Sequence, residues 1–185
     1  SHQTMLPTSG VCQRDLKETL TSRGFYEVVT YSFIENDIEK SLHGNSNPIQ
    51  LQNPIASQMS TMRSSLWGSH LEVLTYNLNR QVSRLNIFEI AQTFQGAKKD
   101  FIETEVISGL SYGSFLPEQW ADKIREIDFY DMKAHVEALT SKSLTFKRSD
   151  KTPLALHPGQ SAEVFLDGQS IGWVGKLHPK WQQHF

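Results

Sequence analysis

The 185-residue chain has a single cysteine, Cys12, so no disulfide can form within it. That fits a reducing compartment, and a cytoplasmic location is expected. No apolar run approaches the roughly 18 residues that a membrane span needs. The opening SHQTMLPTSG lacks the apolar centre of a secretion signal. No GxxxxGK[ST] loop, GxGxxG turn, HExxH helix or paired Cys/His spacing occurs, which leaves no motif for nucleotide or zinc binding. A large charge of one sign is missing too: the formal net charge is −2. Nothing global therefore draws the chain to nucleic acid or to an anionic membrane, and an RNA contact would have to be local.

What is present is an ordinary globular balance, 38% hydrophobic and 21% charged. Residues 1–10 read as a disordered or linker lead, and 11–185 as one module. The run VCQRDLKETLTSR (11–23) predicts a helix with Leu16 and Leu20 on its apolar stripe, stopped at Gly24. FYEVVTYSFI (25–34) predicts a strand. Asn36 and Glu39 have capping-box spacing for a short helix ending near Gly44. Ile49–Leu51 reads as a short strand. The segment from Met59 to Arg80 carries a helical seam of Trp67, Leu71, Leu74 and Leu78, with Gly68 permitting close approach of a neighbour.

Strands are predicted at 85–94 and 105–113, joined by a loop-like QGAKKDFIET. Pro117 opens a helix to about Glu126. A further helix starts near Asp128 with Met132 and Val136 inward. LTFKR (144–148) is a strand. Sequential strands with short links predict an α+β fold, an antiparallel sheet flanked by helices.

The last stretch, LHPGQSAEVFLDGQSIGWVGKLHP, predicts a β-hairpin turning at Asp167-Gly168. Without a bulge, facing residues sum to 335 and His157 faces His178. Each histidine precedes a proline, Pro158 and Pro179, which cannot donate to a ladder. The two His-Pro pairs are expected as structural punctuation at the hairpin's base. A metal site there lacks a third ligand. Glu103 and Glu105 share a strand face, and Lys98-Lys99 reads as a solvated pair. No catalytic constellation and no cofactor or metal site is expected in this chain.

Read in order, RDLKETLTSRGFYEVVTYSF, NPIASQMSTMRSSLWGSHLEVLTYNLNR, NIFEIAQTF, DFYDMKAHVEAL and the final hairpin resemble the β subunits of bacterial-type phenylalanyl-tRNA synthetases. The resemblance covers nearly the whole chain. It implies the antiparallel sheet of class II aminoacyl-tRNA synthetases, in a core module of the β subunit. It also implies an (αβ)2 assembly in which the α subunit performs the ATP- and Mg2+-dependent chemistry and tRNA is bound by the holoenzyme. Helix 11–23 and the strand after it resemble the interface-building first motif, which assigns Arg14, Asp15, Lys17 and Glu18 to contact with α.

Strands 85–94 and 105 onward resemble the second motif. Where catalytic members carry an arginine for the ATP α-phosphate, this chain reads Phe94-Gln95-Gly96, with no arginine from Asn86 to Ile124. Neutral Gln95 cannot replace a bidentate cation. The third motif would lie past Phe185, so the module is expected to be truncated there. The resulting expectation is a non-catalytic scaffold for α. The alternatives are an active class II-like ligase, which would need the missing arginine, and a stand-alone RNA-binding module, which would need a basic, aromatic-lined surface.

Overall fold

A computed structural model describes residues 2–7, 12–115 and 125–185. Its centre is a long ribbon. Strand β5 (Leu85–Ala97) pairs residue by residue with β6 (Asp100–Tyr112) across a turn at Lys98-Lys99. The sequence predicts only its inner halves as strand. Residues 95–104 are polar because that end of the ribbon projects into solvent, where neither face selects apolar side chains. Polarity there marks exposure, not a loop.

The other strands are β1 (His2–Pro7), β2 (Tyr26–Glu27), β7 (Leu144–Lys147), β8 (Leu156–Leu166) and β9 (Gln169–Leu177). The seven-stranded sheet has the order β2-β5-β6-β1-β9-β8-β7. Every neighbouring pair is antiparallel except β2–β5. The expected disordered lead at 1–10 is therefore corrected for His2–Pro7, which lies between β6 and β9 and joins the ribbon to the C-terminal hairpin. Its pattern is short and unremarkable. What places it is the hydrogen-bonding demand of two strand edges, which this segment's own sequence does not display.

Side-chain alternation gives the sheet two apolar faces. On one, helix α1 (Gln13–Ser22) supplies Leu16 and Leu20, and α4 (Phe129–Glu137) supplies Met132 and Val136. They pack on Phe88, Ile107, Val164 and Val174. The other face holds α2 (Asn36–Ser41), α3 (Trp67–Leu78) and α5 (Pro179–His184). There Ile38, Trp67, Leu71, Leu74 and Trp181 pack on Ile87, Leu110, Leu156 and Leu177. Gly68 allows α3 to approach: a Cβ on it would clash with Ile34 Cδ1 and lie 2.8 Å from Ile38 Cγ2. α4 starts as expected at Asp128, in a reciprocal box. The Asp128 carboxylate accepts from the Asp131 N–H at 3.0 Å, and Asp131 accepts from the Asp128 N–H at 2.8 Å.

Three further expectations are corrected. The strand 25–34 breaks into β2 and β3 (Phe33–Ile34), and β3 pairs with β4 (Thr61–Met62) in a separate small sheet. Between them the Thr30 N–H is taken by the Glu89 carboxylate at 2.6 Å rather than by a strand, so the ladder ends and the chain turns away. The Asn36–Glu39 box does not form: Glu35 is the N-cap without a side-chain bond, and Glu39 is buried. Ile49–Leu51 contributes only a single bridge, Gln50 to Thr61. The helix expected at 117–126 falls largely outside the described residues. Among the described residues, no helix is long and apolar enough to cross a membrane.

Candidate functional site

The α1 residues assigned to an interface lie on the helix face opposite Leu16 and Leu20. Arg14 and Asp15 are exposed, as is Glu18, and Lys17 is half-buried. The Arg14 guanidinium pairs with Glu18 at 2.9 Å, and Lys17 Nζ reaches Glu27 at 2.8 Å. Glu27 begins the segment that follows the helix, and that segment exposes apolar side chains. Tyr26 is 75% exposed, Val29 90% and Tyr31 70%. Three large apolar side chains within six residues of sequence thus stand in water, a feature that commonly accompanies interaction surfaces.

The strip runs into an open cleft of about 590 Å³ between residues 29–35 and α3, walled by Val29, Tyr31, Phe33 and Tyr76 with Glu35 and Glu72 at its edge. Burial pushes the Glu72 carboxyl up, and the neighbouring Glu35 charge adds to the rise. The Arg80 guanidinium stacks 3.5 Å above the Tyr76 ring and fixes that wall.

Two cleft residues, Thr30 and Ser69, rest on a buried ionic network. Arg63 is 1% exposed. Its Nη1 donates to Thr30 Oγ1 at 2.5 Å and to Ser69 Oγ at 3.1 Å, and lies 3.7 Å from Glu89 Oε1. Glu89 accepts from the Thr30 hydroxyl and N–H, both at 2.6 Å. His70 Nε2 lies 3.4 Å from the same carboxylate. Burial by itself would raise the Glu89 carboxyl, but hydrogen bonds from His70 and Thr30 outweigh it and hold it below the ordinary range. Burial pushes His70 down, and the Arg63 charge works in the same direction. The ion pair is therefore Arg63–Glu89, with a neutral imidazole beside it.

A second buried carboxylate anchors α3. Glu39 accepts from the Ser64 N–H at 3.0 Å, from Asn45 at 2.9 Å and from His43 Nδ1 at 2.6 Å. The other ring nitrogen of His43 accepts from the Gly68 N–H at 3.0 Å, one of the donors left open by the first turn of α3. Both bonds together require the Nδ1–H tautomer. Burial opposes the Glu39 charge, yet the bonds from His43, Ser64 and Asn45 keep its pKa below the usual value.

Sequence reasoning missed both networks. The signal was available: Glu89 is the lone charge in NIFEIA, and Arg63 stands alone in MSTMRSSLWG. A charged residue at inward parity in an apolar run must find a buried partner.

The hairpin turns at Asp167 and Gly168 as expected, both at positive φ (52° and 79°). The register 335 holds only for Leu166↔Gln169 and Phe165↔Ser170. A bulge shifts it before Val164↔Gly172, and a second irregularity follows Ser161, so that Leu156 pairs with Leu177. His157 and His178 thus do not face each other on the ladder, although their ring centroids lie 6.3 Å apart. Pro158 sits inside β8 at the irregularity instead of ending the strand, whereas Pro179 begins α5. The two triplets share one local device. His157 Nδ1 accepts from the Gly159 N–H at 2.9 Å, and His178 Nδ1 accepts from the Lys180 N–H at 3.1 Å. Each ring caps the backbone that its proline turns. Among the described residues, no three His, Cys, Asp or Glu side chains converge as a metal site.

One histidine couples α1 to α4. Arg23 Nε donates to His135 Nδ1 at 2.8 Å, and Phe25 meets the ring edge-on at 4.8 Å. Burial and the Arg23 charge push His135 down to about 4, with Asp131 opposing. The unfolded chain therefore binds more protons than the folded one between about pH 6.5 and 4. The stabilising effect is fully present above pH 6.5 and is lost as pH falls through that window. Allowing for solvent screening, its loss should amount to about 1–2 kcal/mol. Urea midpoints at pH 7 and pH 5 check this: His135→Gln, which can still accept from Arg23, should show a smaller drop than the wild-type chain. An equal drop would assign the acid sensitivity elsewhere.

Gln95, at the position compared with a phosphate-binding arginine, is exposed on the projecting ribbon and pairs in the ladder with Ile102. The Arg63 guanidinium is buried in its network, and Arg84 is held by the Ser114 and Phe115 carbonyls at 3.1 and 3.2 Å.

A sequence profile for the phenylalanyl tRNA synthetase beta chain CLM domain matches residues 4–185. The chain is 46% identical over 168 residues to the phenylalanine–tRNA ligase beta subunit of Neisseria meningitidis serogroup B, covering 90% of this chain and 21% of that protein. It is 45% identical over 170 residues to the same subunit of Chromobacterium violaceum, covering 92% and 22%. With the subunit of Aromatoleum aromaticum it shares 43% over 184 residues, covering 96% and 23%. The chain thus spans about one fifth of these relatives. Among solved structures, a pyrrolysyl tRNA synthetase from Desulfitobacterium hafniense superposes with a TM-score of 0.56 at 16% identity, covering 88% of this chain and 61% of that one. That likeness establishes the fold, a class II synthetase-like antiparallel sheet with flanking helices.

Proposed function

The chain belongs to the phenylalanyl-tRNA synthetase β-chain CLM-domain family, and on that premise we propose that it is a non-catalytic module that scaffolds the catalytic α subunit. The holoenzyme, a cytoplasmic (αβ)2 assembly using ATP and Mg2+, would charge tRNA with phenylalanine, and this module would take part without binding either cofactor. The observation that carries the reading is the exposed strip of Tyr26, Val29 and Tyr31 beside the polar face of α1. An isolated chain gains nothing from three large apolar side chains in water, and a partner that covers them gains about 25 cal/mol for each Å² buried. Arg14, Asp15, Lys17 and Glu18 would form the rim, since interfaces taken whole are about as polar as other surface. Neutral Gln95 and the enclosed guanidinium of Arg63 support a module without an ATP clamp.

The reading is tested in a β subunit carrying Asp15→Lys and Glu18→Lys. The melting temperature should stay nearly unchanged, as for most surface substitutions. Association with α should weaken several-fold, most visibly at low salt, because rim charges act through long-range attraction. Unchanged association would remove α1's outer face from the interface. The isolated chain should show no ATP–pyrophosphate exchange, and exchange above background would favour the active-ligase reading.

A further inference from the structure

On the opposite side of the sheet from the cleft, the first turn of α4 faces edge strand β7 and the irregular part of β8 across a groove of about 440 Å³. That volume lies within the roughly 300–1,000 Å³ range of sites for small organic groups. Phe129, Tyr130 and Phe146 give it aromatic walls, Lys133 and Arg148 supply cations, and Gln160 lines the far lip. Tyr130 is 72% exposed and meets Phe129 edge-to-face at 5.6 Å, which holds its ring while leaving a face open. Lys133 Nζ stands 5.0 Å from the centre of the Phe146 ring. The groove's one carboxylate, Asp128, is committed to capping α4 and lies 3.5 Å from Arg125.

The neighbouring segment is rich in cations. Residues 142–151 hold Lys142, Lys147, Arg148 and Lys151 against a single acid, Asp150, in a chain whose net charge is −2. Among the described residues, no carboxylate pairs with Lys147, Arg148 or Lys151. Lys147 instead lies over the Phe165 ring at 5.3 Å. Acids stand near the other cations: Lys133 Nζ lies 4.0 Å from the exposed Glu137 carboxylate, Lys142 Nζ 4.0 Å from Asp167, and Lys147 has Glu163 as its ladder partner. Arg148 is thus the groove's cation without a carboxylate partner among the described residues, next to an open aromatic face and a Lys133 whose surface pair is weak. This combination meets both needs of a strand of unpaired nucleotides: a π-face for a base and cations for the phosphates. An anionic membrane would need only the charge, and a phosphorylated peptide would not need the rings.

We propose that the α4–β7–β8 groove is a contact site for unpaired RNA, with a base stacked on Tyr130 and backbone phosphates on Lys133 and Arg148. The site is separate from the surface assigned to α, so it stands or falls independently of the scaffold reading.

The test uses the full chain and a fluorescein-labelled ten-nucleotide oligouridylate, followed by fluorescence anisotropy. Two or three phosphate contacts predict that affinity falls roughly tenfold between 50 and 200 mM salt. Tyr130→Ala should weaken binding by about tenfold or more at either salt concentration, whereas Tyr130→Phe keeps it, since stacking needs only the ring. Arg148→Gln should lower the slope of log K against log salt by about 0.7, one phosphate's share for a single strand. Lys98→Gln with Lys99→Gln, at the far end of the ribbon, should change little. Circular dichroism of each variant confirms the fold, and both test residues are exposed enough to leave it intact. No saturable binding, or binding indifferent to Tyr130→Ala and Arg148→Gln, overturns the proposal. So does equal or tighter binding to phosphatidylserine vesicles or to a phosphoserine peptide.

Discussion

Glu89→Ala is expected to remove about 3–5 kcal/mol of stability, enough to unfold much of the population of an ordinary domain near 37 °C. The carboxylate is the anion for Arg63, which is 1% exposed. Deleting it leaves a buried, permanently charged guanidinium with only Thr30, Ser69 and the Gln92 carbonyl. It also releases the Thr30 N–H, whose capture separates β2 from β3. Removing both charges should cost less than removing one. Glu89→Leu combined with Arg63→Met eliminates the uncompensated ion, and paired apolar replacement of buried ions is often close to neutral. Urea unfolding of the single and double variants decides the matter. A single variant within about 1 kcal/mol of wild type, the cost of an average point substitution, would falsify the view that this pair supports the cleft.

Val29→Asp with Tyr31→Asp in the β subunit is expected to weaken association with α by ~100-fold or more while leaving the module folded. Both side chains are exposed, at 90% and 70%, so the carboxylates cost little in the isolated chain. In a complex they would be buried without cations and would displace an aromatic anchor, and such central residues typically contribute about 2 kcal/mol or more each. The neighbouring Glu35 and Glu72 would make the introduced charges still less favourable. Analytical ultracentrifugation of the mixed subunits, alongside the melting temperature of the variant, separates a lost interface from a lost fold. Full association with unchanged affinity would move the docking surface elsewhere.

Where the chain's own local physics decides structure, the sequence was readable. Leu16 and Leu20 on α1, Asp128 at the start of α4, and the Asp167-Gly168 turn stand where spacing and turn chemistry put them. What escaped depends on distant partners. β1 is a strand because β6 and β9 need it, and the distal ribbon is a strand although both faces are wet. The run FYEVVTYSFI looks like one buried strand, but only its end residues Phe25 and Ile34 are buried, while Tyr26, Val29 and Tyr31 face solvent because Glu89, fifty-nine positions from Thr30, captures the backbone between the ends. The hairpin register shows a related limit, since bulges leave no mark in an alternating pattern and moved His157 off the ladder from His178. For the candidate site, the polar face of α1 was legible through a family resemblance. The apolar strip beside it, and the ion pair under it, required the tertiary structure.

Amide hydrogen exchange bears most directly on scaffolding, comparing the β subunit alone with β in complex with α. Residues 26–35 and the exposed face of α3 around Glu72 to Tyr76 should exchange more slowly in the complex, while the ribbon end around Lys98-Lys99 should not change. Unaltered exchange across residues 26–35 and 72–76 in a fully formed complex would contradict the assignment of this surface to α.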